Sequence, residues 1–106
     1  MKKIWVNGCF DILHRGHLEL FKYAKSQGDF LIVGIDSDSR VKEKKGDSRP
    51  FNNERDRKFF LECIKFIDEV VIFEDDSGLR HNVDVHNAVC IVVGADWEGK
   101  KVIGEA

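Results

Sequence analysis

Residues 4–36 read IWVNGCFDILHRGHLELFKYAKSQGDFLIVGID, and this stretch decides the fold. The apolar runs at 4–10 and 30–35 are rich in β-branched and aromatic residues and predict buried strands. Between them a set of residues recurs at helical spacing: Leu18, Phe21, Ala24 and Lys25. Gly28 stands where the glycine that ends a helix is expected. Strand, helix and strand within about thirty residues are typical of a right-handed crossover between parallel strands.

The size and charge of the chain limit what it can do. Its 106 residues predict one domain over residues 1–106. The formal net charge is -2, from 17 basic and 19 acidic residues, so a broad basic face for nucleic acid is not expected. We therefore expect the anion that this protein binds to be small.

The cysteines and the N-terminus bear on the compartment. Cys9, Cys63 and Cys90 are odd in number and lack the paired spacing of a zinc site or a redox dithiol. Residues 1–11 hold a short apolar stretch that runs directly into charge, which predicts neither a signal peptide nor a membrane span. We expect a cytoplasmic protein with no membrane partner.

The middle of the chain is polar. Residues 37–53 are strongly charged and contain Gly46 and the single proline, Pro50, so they predict a long loop. Asn52 or Asn53 can cap a second helix after it. The apolar positions of that helix are expected to face the core: Phe59, Phe60, Cys63, Ile64 and Ile67.

Three further elements complete the pattern. Residues 69–73 predict a third strand, and residues 88–94 predict a fourth, buried strand. Between them, residues 75–87 are compatible with one short helix. The order β-α-β-loop-α-β-α-β predicts a doubly wound α/β domain with a mostly parallel sheet.

The turn after the first strand predicts a phosphate site. In open α/β sheets ligands lie beyond the carboxyl ends of the strands, and a helix that begins near Gly16 points unpaired N–H groups at that space. The imidazoles of His14 and His17 can donate hydrogen bonds to phosphate oxygens. Two alternatives stay open: histidines that only cap or fill the turn, and a metal pair, which finds no third ligand besides Asp11 or Cys9.

Three stretches carry a family resemblance. GCFDILHRGH at 8–17 resembles the H-x-G-H motif of the cytidylyltransferase-like nucleotidyltransferases. GDFLIVGIDSDSRVKEKKGDSRPFNNERDR at 28–57 is similar to the adenylyltransferase domain of the ADP-heptose synthesis enzymes. GADWEGK at 94–100 is closer to the glycerol-3-phosphate cytidylyltransferases. Motif, helix, lysine-glycine loop and RPxNxxxDR segment occur together in the family order.

The resemblance implies a Rossmann-like fold and a nucleotidyltransferase. Such an enzyme transfers a nucleoside monophosphate from CTP or ATP to a phosphorylated sugar or polyol and releases pyrophosphate. The acceptor would be of the glycerol 3-phosphate or heptose 1-phosphate type. Mg²⁺ would be held mainly by the nucleoside triphosphate, and no residue of the chain is assigned as a metal ligand. The alternative is a nucleotide-binding module that does not turn over.

The resemblance also implies roles for individual residues. The histidines lie against the triphosphate and stabilise the transition state, and two cations act on the phosphates, so the catalytic set is His14, His17, Lys44 and Arg57. The nucleotide-binding set is Cys9, Phe10, Asp11, Gly16, Asp96 and Trp97. Arg49 is a further cation available to two anions that must be held together. We interpret the remaining cations of this region as solvated surface charges: Lys42, Lys45 and Arg55.

The chain departs from the family pattern at its end. Relatives continue with another strand and a last helix against the phosphates, whereas KKVIGEA at 100–106 ends this sequence. We therefore expect the last strand and helix of the family to be missing, which would leave residues 88–94 as an apolar sheet edge. Three interpretations stay open: the chain is a fragment, a partner covers that edge, or the site is incomplete and its activity low. We favour a shortened chain. KFIDEV at 65–70 resembles the junction through which relatives dimerise, so a homodimer is expected.

Overall fold

The computed structural model describes residues 1–92 and 103–105. The strands are β1 (Lys3–Gly8), β2 (Phe30–Asp36), β3 (Glu69–Phe73), β4 (Val89–Val92) and β5 (Ile103–Glu105). The helices are α1 (Arg15–Ser26), α2 (Asp38–Lys45), α3 (Glu54–Glu62) and α4 (Asp76–His86). Within these residues, no helix is both long and apolar enough to cross a membrane.

In the described ranges the strands form one sheet in the order β3-β2-β1-β4-β5. Strands β1 to β4 run parallel, and β5 is antiparallel to β4. This confirms the doubly wound, Rossmann-like α/β fold, with β1 at its centre. The sheet reverses its order between β1 and β4, which is the topological switch point.

The expectation of an open edge at residues 88–94 is wrong for Ile91 and Val92, and residues 93 and 94 lie outside the described residues. Ile91 pairs with Glu105, and Val92 pairs with Ile103, so β5 covers the outer edge of β4 there. The physical reason is that β5 runs antiparallel to β4 and supplies backbone partners to it.

Two apolar layers lie on opposite faces of the sheet because side chains alternate along each strand. On one face, helices α1 and α3 pack on a buried cluster that includes Ile4, Val6, Phe21, Leu31, Val33 and Leu61. On the other face, Trp5, Ile32 and Phe73 pack against Leu79 and Val83 of α4. A Cβ atom on Gly34 would lie 2.2 Å from Cζ2 of Trp5, so this position of β2 needs a glycine.

The predicted loop over residues 37–53 is wrong for its first half, where the structure has α2. The Ser37 side chain caps this helix by accepting a hydrogen bond from the backbone N–H of Arg40. Gly46, with φ of 98°, ends α2. The positive charges of three lysines in the last turn stabilise the helix by their interaction with the negative end of its dipole. Only Val41 of α2 is buried, so the helix has no apolar stripe that periodicity could detect.

The second helix that the sequence predicted is α3 in the structure, and the prediction of its core-facing residues is partly wrong. Phe59 and Phe60 are 62% and 44% exposed, and Cys63 is also exposed. The buried residues of α3 are Arg57 and Leu61, four positions apart, so the helix turns this other face inward. The rest of the prediction is confirmed: Asn53 is the cap, Ile67 is buried and Ile64 packs against the core.

The third strand and the short helix are confirmed. Strand β3 has the predicted bounds, and α4 lies within residues 75–87. Asp75 caps α4 at its start, and Asn87 ends it in the left-handed region, with φ of 52°. Both ends of α4 therefore carry a capping residue, and its Leu79 and Val83 pack against the sheet.

Candidate active site

The turn between β1 and α1 lies at the carboxyl end of the central strand. Phe10 sits in this turn with φ of 49°, a left-handed conformation that costs a non-glycine residue roughly 1–3 kcal/mol. Its buried ring packs edge-on against His17, with ring centroids 5.3 Å apart, and against Phe21 at 5.1 Å. Packing of the ring thus holds the backbone in the shape that reverses the chain toward α1.

His14 and His17 together cap the first turn of α1. The backbone N–H of Gly16 donates to Nδ1 of His14 at 3.0 Å, and the backbone N–H of His14 donates to Nδ1 of His17 at 3.2 Å. This is a capping box built from two imidazoles. The rings stack with centroids 3.9 Å apart and planes tilted by 26°.

The capping bonds determine where the imidazole protons lie. A backbone N–H is always a donor, so Nδ1 of each ring must accept, and each neutral ring carries its proton on Nε2. The capping role that the sequence left as an alternative is therefore present. The cap uses Nδ1 of each ring, and the Nε2–H on the other side of each ring is the type of donor that a phosphate oxygen accepts. In the described part of the chain, no group of three or more histidine, cysteine or carboxylate side chains is placed to hold a metal ion.

Asp11 joins the turn to residues 49–52. Its buried carboxylate accepts the backbone N–H groups of Phe51 at 2.7 Å and Asn52 at 2.8 Å. The Asn52 side chain donates back to the carbonyl of Asp11 at 2.7 Å. Burial alone would raise the pKa of Asp11, but these backbone donors and Arg49 hold it below its ordinary value. The predicted nucleotide-binding carboxylate is thus engaged with the chain itself.

Arg57 is a fully buried cation that bonds to four parts of the fold. Its guanidinium donates to the carbonyl of Cys9 at the end of β1 and to the carbonyl of Asp36 at the end of β2. It also donates to the carbonyl of Asn52 and to the carboxylate of Asp38 at the start of α2. Arg57, which the sequence predicted to be catalytic, therefore holds the ends of β1 and β2 and the start of α2 together in this structure.

Cys9 follows the end of β1, and Gly16 lies at the start of α1. Burial raises the pKa of the Cys9 thiol, and this outweighs the nearby positive charges, so the thiol is held in its neutral form. Gly16 is buried in the first turn of α1. Asp96 and Trp97, the remaining predicted nucleotide-binding residues, lie outside the described residues.

Lys44 and Lys45 are exposed residues of α2 whose charges act on different neighbours. Lys45 acts on Cys9: its positive charge lowers the pKa of that thiol, against the larger effect of burial. The lowered pKa of Asp76 comes first from its hydrogen bond with Arg40, with Lys44 as a further positive charge. Lys45 follows the buried Val41 by one helical turn and is itself exposed. That spacing is the signal by which the sequence could have singled out Lys45.

Known proteins resemble this chain over nearly its full length. A cytidylyltransferase-like family model matches residues 5–101. Bifunctional protein HldE of Campylobacter fetus subsp. fetus (strain 82-40) is 48% identical over 101 residues, which are 95% of this chain and 22% of that protein. HldE of Helicobacter pylori (strain Shi470) is 45% identical over 103 residues, 97% of this chain and 22% of that protein. The chain thus spans about a fifth of the length of these curated relatives.

One solved structure is also similar to this chain. The crystal structure of the lipopolysaccharide core biosynthesis protein from Thermoplasma volcanium GSS1 matches with a TM-score of 0.70 and 27% identity. The match covers 80% of this chain and 68% of that one. The residues that the family model matches contain the histidine turn, Asp11 and Arg57. The chain belongs to the cytidylyltransferase-like family of nucleotidyltransferases.

Proposed function

We propose that this chain transfers a nucleoside monophosphate from a nucleoside triphosphate to a phosphorylated sugar or polyol and releases pyrophosphate. The observation that carries the proposal is the pair of stacked imidazoles, each oriented by a backbone N–H, at the positive end of α1. The identity with HldE and the similarity of residues 28–57 to ADP-heptose synthesis enzymes favour ATP and a heptose 1-phosphate. CTP with glycerol 3-phosphate is the second pair in the same class.

The proposed reaction is an in-line displacement. An oxygen of the acceptor phosphate forms a bond to the α-phosphorus as the bond from that phosphorus to the pyrophosphate oxygen breaks. The Nε2–H groups of His14 and His17 and the positive end of α1 stabilise the negative charge that shifts onto the phosphate oxygens. Mg²⁺, bound mainly by the triphosphate, would supply further charge neutralisation.

The other predicted residues divide between direct contact and positioning. We retain Lys44 as a phosphate-binding candidate and add Lys45, since Lys45 is the lysine whose charge acts on the end of β1. Arg57 and Asp11 act in this proposal by fixing the shape of the turn and of residues 49–52. Asp96 and Trp97 stay predictions for contacts to the base.

The test separates catalysis by the imidazoles from capping by the same rings. His14→Asn and His17→Gln together rebuild an ordinary capping box, because asparagine is a good N-cap and glutamine suits the third helical position. We expect turnover to fall by about 10²–10³, with triphosphate affinity less affected and the melting temperature nearly unchanged. If this double variant turned over at the rate of the unsubstituted chain, the two histidines would act only as helix caps.

The substrate test is a grid of reactions with Mg²⁺. ATP, CTP, GTP and UTP are each combined with heptose 1-phosphate, glycerol 3-phosphate and phosphocholine, and pyrophosphate release is measured. We expect the highest rate with ATP and heptose 1-phosphate. Triphosphate binding without release in any combination would favour the non-catalytic module.

We also propose a homodimer through residues 65–70. Strand β3 forms one edge of the described sheet, and residues 65–70 lead directly into it. Sedimentation equilibrium should give twice the mass of the chain. A charged substitution at the edge strand, Val71→Lys, should shift the distribution toward the monomer.

A further inference from the structure

Arg49 and Phe51 form a stacked pair at the rim of the histidine turn. The guanidinium carbon of Arg49 lies 4.4 Å from the centroid of the Phe51 ring, and Phe51 is 63% exposed. Within the described part of the chain, the single hydrogen bond of the Arg49 side chain is the 3.4 Å contact from Nη1 to Asp11. The backbone N–H groups that bind the same carboxylate do so at 2.7 and 2.8 Å, so Arg49 is its weakest partner.

The backbone that carries this pair is held firmly. Asp11 binds the backbone of Phe51 and Asn52, and Arg57 binds the carbonyl of Asn52. A large apolar ring is therefore kept in solvent, and a cation is kept beside the turn, by buried polar contacts. Hydrophobic burial does not explain this arrangement, because the ring gains little from it.

The position of the pair relative to the sheet indicates what it binds. In a doubly wound sheet the nucleotide lies at the switch point, which here is between β1 and β4. Arg57 ties Asn52 to the ends of β1 and β2, and β2 lies on the side of β1 away from β4. The second substrate of a transfer reaction must approach the α-phosphorus from a side that the nucleotide leaves open.

We propose that Arg49, stacked on Phe51, binds the phosphate group of the acceptor and makes this rim a specificity-determining site for phosphorylated sugars or polyols. The proposal rests on the proposed function above. A guanidinium binds phosphate through two parallel N–H donors, and stacking on an aromatic ring orients its plane. The exposed part of the Phe51 ring offers an apolar contact to the carbon skeleton of the acceptor.

The kinetic test compares two arginines. Arg49→Gln should raise the KM for the acceptor by about 10- to 100-fold, while the KM for the triphosphate changes little. Phe51→Leu should raise the acceptor KM by about 2- to 5-fold, because only the stacking contact is lost. Arg55→Gln, which removes the same charge from an exposed position of α3, is the matched control. Equal acceptor KM values in Arg49→Gln and Arg55→Gln would overturn the proposal.

A binding test distinguishes failure of this site from failure of the proposed function. The arginine Nε–H resonances of the full chain are followed by NMR during titration with glycerol 3-phosphate, heptose 1-phosphate and inorganic phosphate. We expect the Arg49 resonance to shift with the phosphorylated acceptors, and this response to vanish in Arg49→Gln. A shift of the Arg49 resonance without any pyrophosphate release would contradict the transferase proposal and retain the phosphate site at Arg49. Turnover without a shift of the Arg49 resonance would retain the transferase proposal and overturn the acceptor site at Arg49.

Discussion

Arg57 is fully buried and donates to four protein oxygens, whereas Arg49, in the loop before α3, has a side chain that is 35% exposed. Both carry the same permanent charge, and both face the turn between β1 and α1. Arg57 holds the ends of two strands and the start of α2 in place, while Arg49 keeps most of its donors for another partner. The comparison teaches that the hydrogen-bond partners of a cation, rather than its charge, distinguish a structural role from a binding role.

The largest expected effect is on stability. Arg57→Ala should lower the free energy of unfolding by about 3–5 kcal/mol, because it leaves buried carbonyls and a carboxylate without their donor. Arg49→Ala should change it by about 0.5 kcal/mol or less. Urea denaturation of both variants measures the difference. Equal losses would mean that the two arginines share one structural role.

The same comparison extends to the lysines of α2. Lys45→Gln should weaken triphosphate binding by about ten-fold, since it removes a charged contact near the end of β1. Lys44→Gln should have a smaller effect, because that lysine acts toward Asp76. Titration calorimetry with ATP and with CTP measures both, and the exposed Lys42→Gln serves as the control. A larger loss of triphosphate affinity in Lys44→Gln than in Lys45→Gln would support the sequence-based prediction that Lys44 acts on the phosphates.

A pH series sharpens the role of Asp11, which holds the segment that carries Arg49. Its folded-state pKa lies below the unfolded value of about 3.9, so its stabilisation is present above that value and is lost as pH falls through the folded pKa. Between about pH 5 and pH 2 the unsubstituted chain should therefore lose more stability than Asp11→Asn. The exposed Asp47→Asn should follow the unsubstituted chain. Parallel curves for Asp11→Asn and the unsubstituted chain would contradict this account.

The smallest expected effect concerns the start of α2, which presents Asp38 to Arg57. Ser37→Ala removes the cap that accepts the Arg40 N–H and should cost about 1 kcal/mol. Ser48→Ala, at an exposed position of the following loop, should be close to neutral. Thermal denaturation compares the two. No difference between them would mean that contacts of Arg57, rather than the cap, begin the helix.

The parts of the fold that the sequence predicted are those with strong periodicity. The first crossover and the third strand bury apolar residues in the core. Helix α4 has no fully buried residue, and residues 75–87 were predicted only to be compatible with a helix. Helix α2 was missed because it buries one side chain and depends on its caps, Ser37 and Gly46. The Phe59–Phe60 pair was placed in the core on hydrophobicity alone, whereas α3 turns Arg57 and Leu61 inward.

The candidate site was predicted where its signal is local. His14, Gly16 and His17 lie within one turn, and their position after the first strand predicted a phosphate site, with a cap and a metal pair as the alternatives. The contacts of Asp11 with residues 49–52 join segments about forty positions apart in the chain, and no periodicity reports such contacts. The same holds for Arg57, whose partners are distant carbonyl groups that every residue type carries.

The close approach of Trp5 to Gly34 has a consequence for how this sheet varies among relatives. The indole occupies the space that a side chain on β2 would take, so positions 5 and 34 share one volume. A relative with alanine or a larger residue at position 34 should carry a smaller side chain at position 5. A shift of β2 by two residues would bring Ile32 or Asp36 under the indole, so this pair also fixes the alignment of the two central strands.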